Sequence, residues 1–595
     1  MIIYLNAGNE DLQSNMKSID LSEKTDEFLA VGQCDRAIEI ALESFEEGKK
    51  WLWIKSDTLT PRDINELWKI QTTYTNVYEA YHCKAEQLDD QKKYDEALKY
   101  HIKADSFLNI NPYERYESWK KERADSKNDI GICYSKLNQN DSAAAYYIKA
   151  INYYNDSVGQ KDNRLATYFY NLGYVYGKDR FFEESNQMLQ GSIGILKRDT
   201  MDQENKQDIS LAYLRLAYNG LASNQLDLAN ESLKNSYQYL TPGQFCQYNL
   251  YSGIYSTHQY AFKSALEYAN KAVLCYSNEL GKNNQNVAES HSILYDAWMQ
   301  IPNYDSALAH LKKGIEITGL NYASTTARYH YYVKREGYYY YSVGDYENAL
   351  KKLIEVKKIY EREFGRDCDK LPEVLATIGQ IKIELGEFGD AGKLATESLR
   401  LAEFHEFFID DRATGLLNDI AYINYATSQN FVADTLYKKS IELSIKADQD
   451  SSLSVASALN GLGLLATRKS QFFEADSLFN QSFQLYQHRT SDLHPDKGIV
   501  LMNQSELFLK RRNFSDALEL IDQALENFTP FHRDNHPTIA DMYSSKAIIL
   551  AMKDERTEAI ELLTKALEIY ESNFQPEHRK MRETRNRLGK IDSRR

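Results

Sequence analysis

Asn303-Tyr-Asp-Ser-Ala307, Gly344-Asp-Tyr-Glu-Asn-Ala349, Gly386-Glu-Phe-Gly-Asp-Ala391, Gln471-Phe-Phe-Glu-Ala475 and Arg512-Asn-Phe-Ser-Asp-Ala517 carry one pattern. Their alanines belong to an unbroken series, Ala307, Ala349, Ala391, Ala433, Ala475, Ala517 and Ala559, with 42 residues between successive members. A fixed period of this size predicts a solenoid, in which each unit is stabilised by burying a face against its neighbours.

Offsets from the anchor alanine predict the unit. Twelve residues before an anchor stands Gly131, Gly173, Gly253, Gly337, Gly379 or Gly463, where a missing side chain lets two helices approach closely. An apolar residue often precedes that glycine (Ile130, Leu172, Ile378, Leu462), and an aromatic follows three residues after it (Tyr134, Tyr176, Tyr340). Those positions line one stripe of a first helix, helix A. Four residues beyond the anchor comes a large side chain (Tyr147, Leu189, Leu311, Leu353, Tyr437, Phe479, Ile521, Leu563), and seven beyond it a small one (Ala150, Ser192, Gly314, Ser440, Ser482, Ala524, Ala566). This is the stripe of a second helix, helix B, packed antiparallel on the first.

The Gly/Tyr pair of helix A, with the Ala, large and small residues of helix B, resembles the tetratricopeptide repeat, whose usual unit is about 34 residues. The longer period is similar to that of kinesin light chains and their bacterial relatives. His494-Pro495-Asp496 and His536-Pro537-Thr538 look like the His-Pro that opens many of those repeats. The resemblance covers roughly residues 65 to 590 and implies an all-α, right-handed α-solenoid of about 12 helix pairs with a C-terminal capping helix. The sequence departs from it at Ala217, Tyr295, Ala421, Ser505 and Ala547, which replace the glycine and bear on how closely the helices approach there.

Outside the strict series the register loosens. Ala97, Ala143, Ser185, Ala229 and Ala265 continue it with spacings of 46, 42, 44 and 36. Ala37 marks a degenerate helix B, 60 residues before Ala97, and the excess falls in 48 to 78, where Trp51, Trp53 and Trp68 flank a break at Thr60-Pro61. The expected organisation is an irregular N-terminal cap over 1–64, a superhelix over 65–576 and a basic capping helix over 577–595. That last segment has eight Lys/Arg against three acidic residues and is expected to be a solvated cap rather than a nucleic-acid tail. The prolines at 112, 242, 302, 372, 495, 530, 537 and 576 fall at expected helix ends or turns, where a missing donor costs little.

Composition narrows the function. A net charge of −15 argues against general nucleic-acid binding, which needs a basic face. Nine prolines and 27 glycines in 595 residues disfavour a disordered or all-β chain. No apolar run approaches the roughly 20 residues that span a bilayer, and residues 1–20 do not read as a secretory signal. The six scattered cysteines suggest reduced, mostly buried thiols and a cytoplasmic location.

No constellation of catalytic residues emerges, so the chain is read as a non-enzyme with no cofactor and no metal. Gly461-Leu-Gly463-Leu-Leu-Ala466 matches a dinucleotide fingerprint but lies inside a helix A, where that motif has no strand before it. His532 and His536 have metal-pair spacing but sit at an inter-repeat loop, and His405-Glu406 lacks a second histidine.

What remains is surface. Positions 18, 15, 11 and 8 before each anchor share the face of helix A turned away from the packing stripe. In the resembled family that face lines a concave groove that binds partners, commonly peptides. Here it offers Tyr170 and Tyr174, then Tyr331, Lys334, Tyr338 and Tyr341 with Arg335 beside them, then Asn418, Tyr422 and Tyr425, and Asn460. Aromatic and cationic groups dominate binding energy, and asparagine can pair with a peptide backbone. The plainer reading is that some tyrosines, seven of them between Tyr329 and Tyr341, merely pack between repeats. The expected function is a protein–protein scaffold or adaptor whose partner presents acidic and apolar residues. The alternative is a sensor or regulatory subunit of a separately encoded bacterial effector such as a caspase-like protease.

Overall fold

The computed structural model describes residues 17–49, 61–110, 117–157, 163–198, 202–223, 225–259, 261–406, 413–446, 453–490 and 492–592. Trp51, Trp53, Thr60, Pro112 and the side chain of Trp68 lie outside the described residues. Among the described residues, thirteen helix pairs run from 17–30 with Cys34–Lys49 through to Pro537–Met552 with Arg556–Asn573, and Arg579–Asp592 follows. Among the described residues there is no strand, and no helix is long and apolar enough to cross a membrane. The chain forms two compact units, Met1–Tyr248 and Asn249–Arg595, with the boundary inside helix Phe245–His258.

The anchor register holds in both units. Every anchor from Ala37 to Ala559 is fully buried, as is Ser185. Five residues before the anchor the chain leaves helix A through a residue of positive φ: Gly32, Lys92, Asn138, Arg180, Gly344, Gly386, Ser428, Ser470, Arg512 or Asp554. The next N–H then reaches back five residues, as Asp345 does to the Tyr340 carbonyl and Gln471 to that of Ala466, both at 2.9 Å. This satisfies an orphan helix-end carbonyl, and it explains why glycine suits the position without being required there.

The glycines of helix A do what their spacing predicts. A Cβ on Gly131, Gly173, Gly337 or Gly463 would lie 2.6–2.9 Å from Tyr147, Leu189, Leu353 or Phe479, each sixteen residues on. At Gly379 the matching residue is Ala395, and Ile423 of the following repeat fills the space instead, 2.7 Å from such a Cβ. Where glycine is replaced, the side chain is small and buried or hydrogen-bonded to a backbone carbonyl. Ala217, Ala421 and Ala547 are fully buried, the Ser505 hydroxyl donates to the Ala517 carbonyl (2.7 Å), and Tyr295 donates to the Arg335 carbonyl (3.0 Å). Small residues after the anchor are often serines that donate to a helix A carbonyl 26 residues earlier: Ser398 to Pro372, Ser440 to Thr414, Ser482 to Ala456. Ser44 does the same to Ser18 (2.8 Å), so the pair around Ala37 is an ordinary member of the series.

Two expectations need correction. Cys34 and Cys83 are joined in a disulfide between helix Cys34–Lys49 and helix Pro61–Asp90. The thiols are therefore not all reduced, and the cysteines no longer argue for a reducing compartment. Cys133 and Cys368 are free and buried. The second correction concerns unit 2, where contacts are not confined to neighbouring repeats. The Nε2 of His536 donates to the Ser342 carbonyl (3.3 Å), and that of His578, 42 residues on, donates to Glu384 (2.9 Å). His494, 42 residues before His536, bonds the backbone of Gln300. Each link spans 194 residues and joins the start of one helix A to the end of the helix A five repeats earlier. Successive turns of the superhelix therefore touch about every five repeats. Tyr346 stacks on Phe574 at 6.1 Å, and both belong to one core with Leu353, Leu371, Tyr570 and Met581.

Candidate partner-binding surface

The positions singled out from sequence in unit 2 lie on helix Ala327–Ser342, helix Thr414–Ala426 and helix Leu453–Arg468, with helix Leu371–Glu384 as the A helix between the first two. Because the repeat is 42 residues and these helices run side by side, a residue meets the one about 39 later. Arg335 pairs with Asp296 (2.8 Å), Lys334 with Glu373 (3.0 Å), and Gln380 donates to Asp419 (2.9 Å). The Arg335 guanidinium also lies 4.1 Å from the Tyr331 ring, and the Lys334 ammonium 5.5 Å from that of Tyr338.

This ladder changes the electrostatics expected from sequence. Lys334 and Arg335 are not spare positive charges, since each already faces a carboxylate on an adjacent helix. Burial opposes the Lys334 charge, but Tyr338 and Glu373 outweigh it and hold the ammonium protonated, while Lys334 in turn pulls the Glu373 carboxyl below its ordinary range. Burial pushes Asp419 up to about 7, with Gln380 opposing. Burial raises Tyr338 to about 12 and moves Tyr341 and Tyr422 in the same direction. Lys580, from the last helix, reaches Asp541 (2.8 Å) and Glu384 (3.0 Å), so this basic segment turns at least one of its charges inward rather than being wholly solvated.

The other sequence-chosen residues divide. Tyr331 is 39% exposed and Tyr338, Tyr341, Tyr422 and Tyr425 are half-buried. Arg468 stands 3.7 Å from the Tyr425 ring and donates to the Tyr425 carbonyl. Asn418 is only 5% exposed and donates to the Ser454 carbonyl (2.8 Å), and Asn460 accepts from Asn503 (3.0 Å), so both amides are engaged between repeats. Tyr170 and Tyr174 belong to unit 1. Tyr170 lines a small pocket with Thr167, Ser192, Leu196 and Asp208, and Tyr174 is exposed beneath Arg215, 4.2 Å from its ring.

The chemistry-like motifs resolve into packing. A Cβ on Gly461 would lie 2.1–2.5 Å from three atoms of the Tyr437 ring, and one on Gly463 would meet Phe479. His532 stacks on Phe528 at 3.9 Å and on its other side meets the Tyr304 hydroxyl (3.3 Å), while His536 serves the inter-turn contact described above. His405 bonds the Asp367 carbonyl. Sequence reasoning missed the acidic partners Asp296, Glu373 and Asp419. The signal was present, since each stands 39 residues from a partner already singled out or adjacent to one.

Residues 454–529 and 502–574 each match a tetratricopeptide-repeat family model. No curated protein matches the chain in sequence. Among solved structures, the anaphase-promoting-complex hetero-tetramer Cut9–Hcn1 superposes with a TM-score of 0.52 at 13% identity, covering 89% of this chain and 94% of that one. A Rap protein complexed with competence and sporulation factor gives 0.49 at 14% identity, over 62% of this chain and 99% of that one. Yeast Tom70 gives 0.31 at 14% identity, over 87% and 96%. At these identities the first likeness shows the fold alone, and the other two add no argument.

Proposed function

This chain is a tetratricopeptide-repeat protein, and on that premise we propose that it is a non-enzymatic scaffold or adaptor that holds a protein or peptide partner on the helix A face of unit 2. The observation that carries this reading is Tyr331, Tyr338 and Tyr341 on one A helix and Tyr422 and Tyr425 on the second A helix after it, set among charges paired between neighbouring A helices. Aromatic rings beside partly desolvated charges are the groups that dominate interface energy. Because Lys334 and Arg335 are already neutralised, the partner best matched to this face offers apolar side chains and charges of both signs, rather than a purely acidic segment. A cytoplasmic location fits this role only with Cys34 and Cys83 reduced, which alkylation in the native host before lysis would read directly.

Capture of partners from the native host with the full chain, followed by titration calorimetry, tests the proposal. Tyr331→Ala removes an exposed ring without opening the core and is expected to weaken binding by about tenfold or more. An unchanged affinity overturns this site. If the captured partner is a separately encoded effector such as a caspase-like protease, the scaffold acts as its regulatory subunit.

A further inference from the structure

One repeat carries a buried polar side chain at a packing position of helix B. Four residues beyond the anchor, where other repeats place Tyr147, Leu189, Leu311, Leu353, Phe479 or Leu563, the Ala97 repeat carries His101, only 3% exposed. A buried polar group at a position that elsewhere takes a large hydrophobic side chain marks a place where local rules yield to another demand. His101 lies in helix Tyr94–Ile110. Its Nε2 is 2.9 Å from one oxygen of Asp89, at the end of helix Pro61–Asp90. The other Asp89 oxygen is 3.5 Å from the Sγ of Cys133, a fully buried free cysteine of helix Glu117–Lys136.

We propose that Asp89, His101 and Cys133 form a binding site for a thiophilic divalent cation, zinc in class. Their donor atoms all lie within 4.8 Å of one another. A tetrahedral zinc, with bonds of about 2.3 Å to sulfur and about 2.0 Å to oxygen, places those two atoms about 3.5 Å apart, the spacing Cys133 and Asp89 already have. The two hydrogen bonds to Asp89 show where the protons go. The ion replaces the thiol proton of Cys133, which leaves to solvent, and the imidazole proton of His101 moves to Nδ1. Thiolate and carboxylate then balance the dication, so the buried site is neutral. Asp129 and His82 complete the surroundings, a donor atom of each also lying within 4.8 Å of a His101 ring nitrogen. Asp89 is about 30% exposed and gives the ion a path in, with water in the fourth position.

The experiment is a cobalt(II) titration of the full, untagged chain after treatment with a chelator, followed by absorbance. The expected result is saturation at one cobalt per chain with a thiolate-to-cobalt charge-transfer band, displaced by zinc. Cys133→Ser abolishes the band. The near-isosteric Asp89→Asn weakens cobalt binding by about tenfold or more while its circular dichroism stays unchanged, which covers the case in which the serine variant fails to fold. Cys368→Ser, and Cys34→Ser with Cys83→Ser, leave the band in place. Binding without a thiolate band, as from His82, His101 and Asp129 alone, overturns the proposal, as does a band that survives Asp89→Asn at full affinity or disappears with Cys368→Ser.

Discussion

Gly463 and Gly589 occupy the same register position three repeats apart, yet the structure predicts opposite responses to alanine. At Gly463 the new methyl would lie 2.6, 2.8 and 3.0 Å from three ring atoms of Phe479. Phe479 is fully buried, so its ring has no solvent to turn into. Overpacking of this kind costs about 1–3 kcal/mol, against a gain of about 1 kcal/mol in helix propensity, leaving a net loss of up to about 2 kcal/mol. At Gly589 nothing lies within 4 Å of the added carbon, and only the propensity gain remains, about 0.5–1 kcal/mol near a helix end. Urea unfolding followed by helical circular dichroism compares the two midpoints with that of the parent chain. Gly463→Ala should unfold earlier and Gly589→Ala at the same point or later. Shifts in the same direction would refute the claim that the glycine is required for contact with helix B.

Other outcomes follow from the same contacts. Lys334→Glu with Arg335→Glu sets new carboxylates against Glu373 and Asp296 and should lower stability by roughly 1–3 kcal/mol; an unmoved melting temperature would mean that the pairs contribute nothing. Burial lowers His536 to about 3, so between that value and its unfolded pKa near 6.5 the unfolded chain binds the extra proton and stability falls as pH falls. The stability of the parent chain relative to His536→Gln should therefore drop by about 2 kcal/mol from pH 7 to pH 5. A pH-independent difference would remove His536 from the buried inter-turn contact. Cys133 and Cys368 should resist alkylation until the chain unfolds, and Cys34 and Cys83 until it is also reduced; labelling of all four in the native, unreduced chain would contradict the pairing.

The helix pairs were legible because one physical requirement, a small residue where two helices meet, recurs at a fixed spacing from Ala307 to Ala559. The pair around Ala37 reads as degenerate in sequence, yet its Ser44 makes the same bond to a helix A carbonyl, that of Ser18, as the serines of later repeats. The contact between turns was not legible. His494 and His536 read as helix openers, and nothing in a nearest-neighbour pattern says that their far nitrogens reach carbonyls 194 residues away, because that distance depends on how small rotations add up over five repeats. The candidate surface was half legible. The tyrosines stand out by type, whereas nothing in residue type marks Asp296, Glu373 and Asp419 until the A helices are laid side by side. Asn418 shows the limit in the other direction, since its position fits the groove face while its amide is engaged with the next repeat.

The central claim is that the A helices of unit 2 receive the partner, and amide hydrogen exchange with and without a captured partner tests it most directly. The account predicts added protection in Ala327–Ser342, Leu371–Glu384 and Thr414–Ala426, with little change in the B helices Tyr346–Phe364 and Phe388–Phe404. Protection confined to those B helices, with the A helices exchanging as in the free chain, would contradict it.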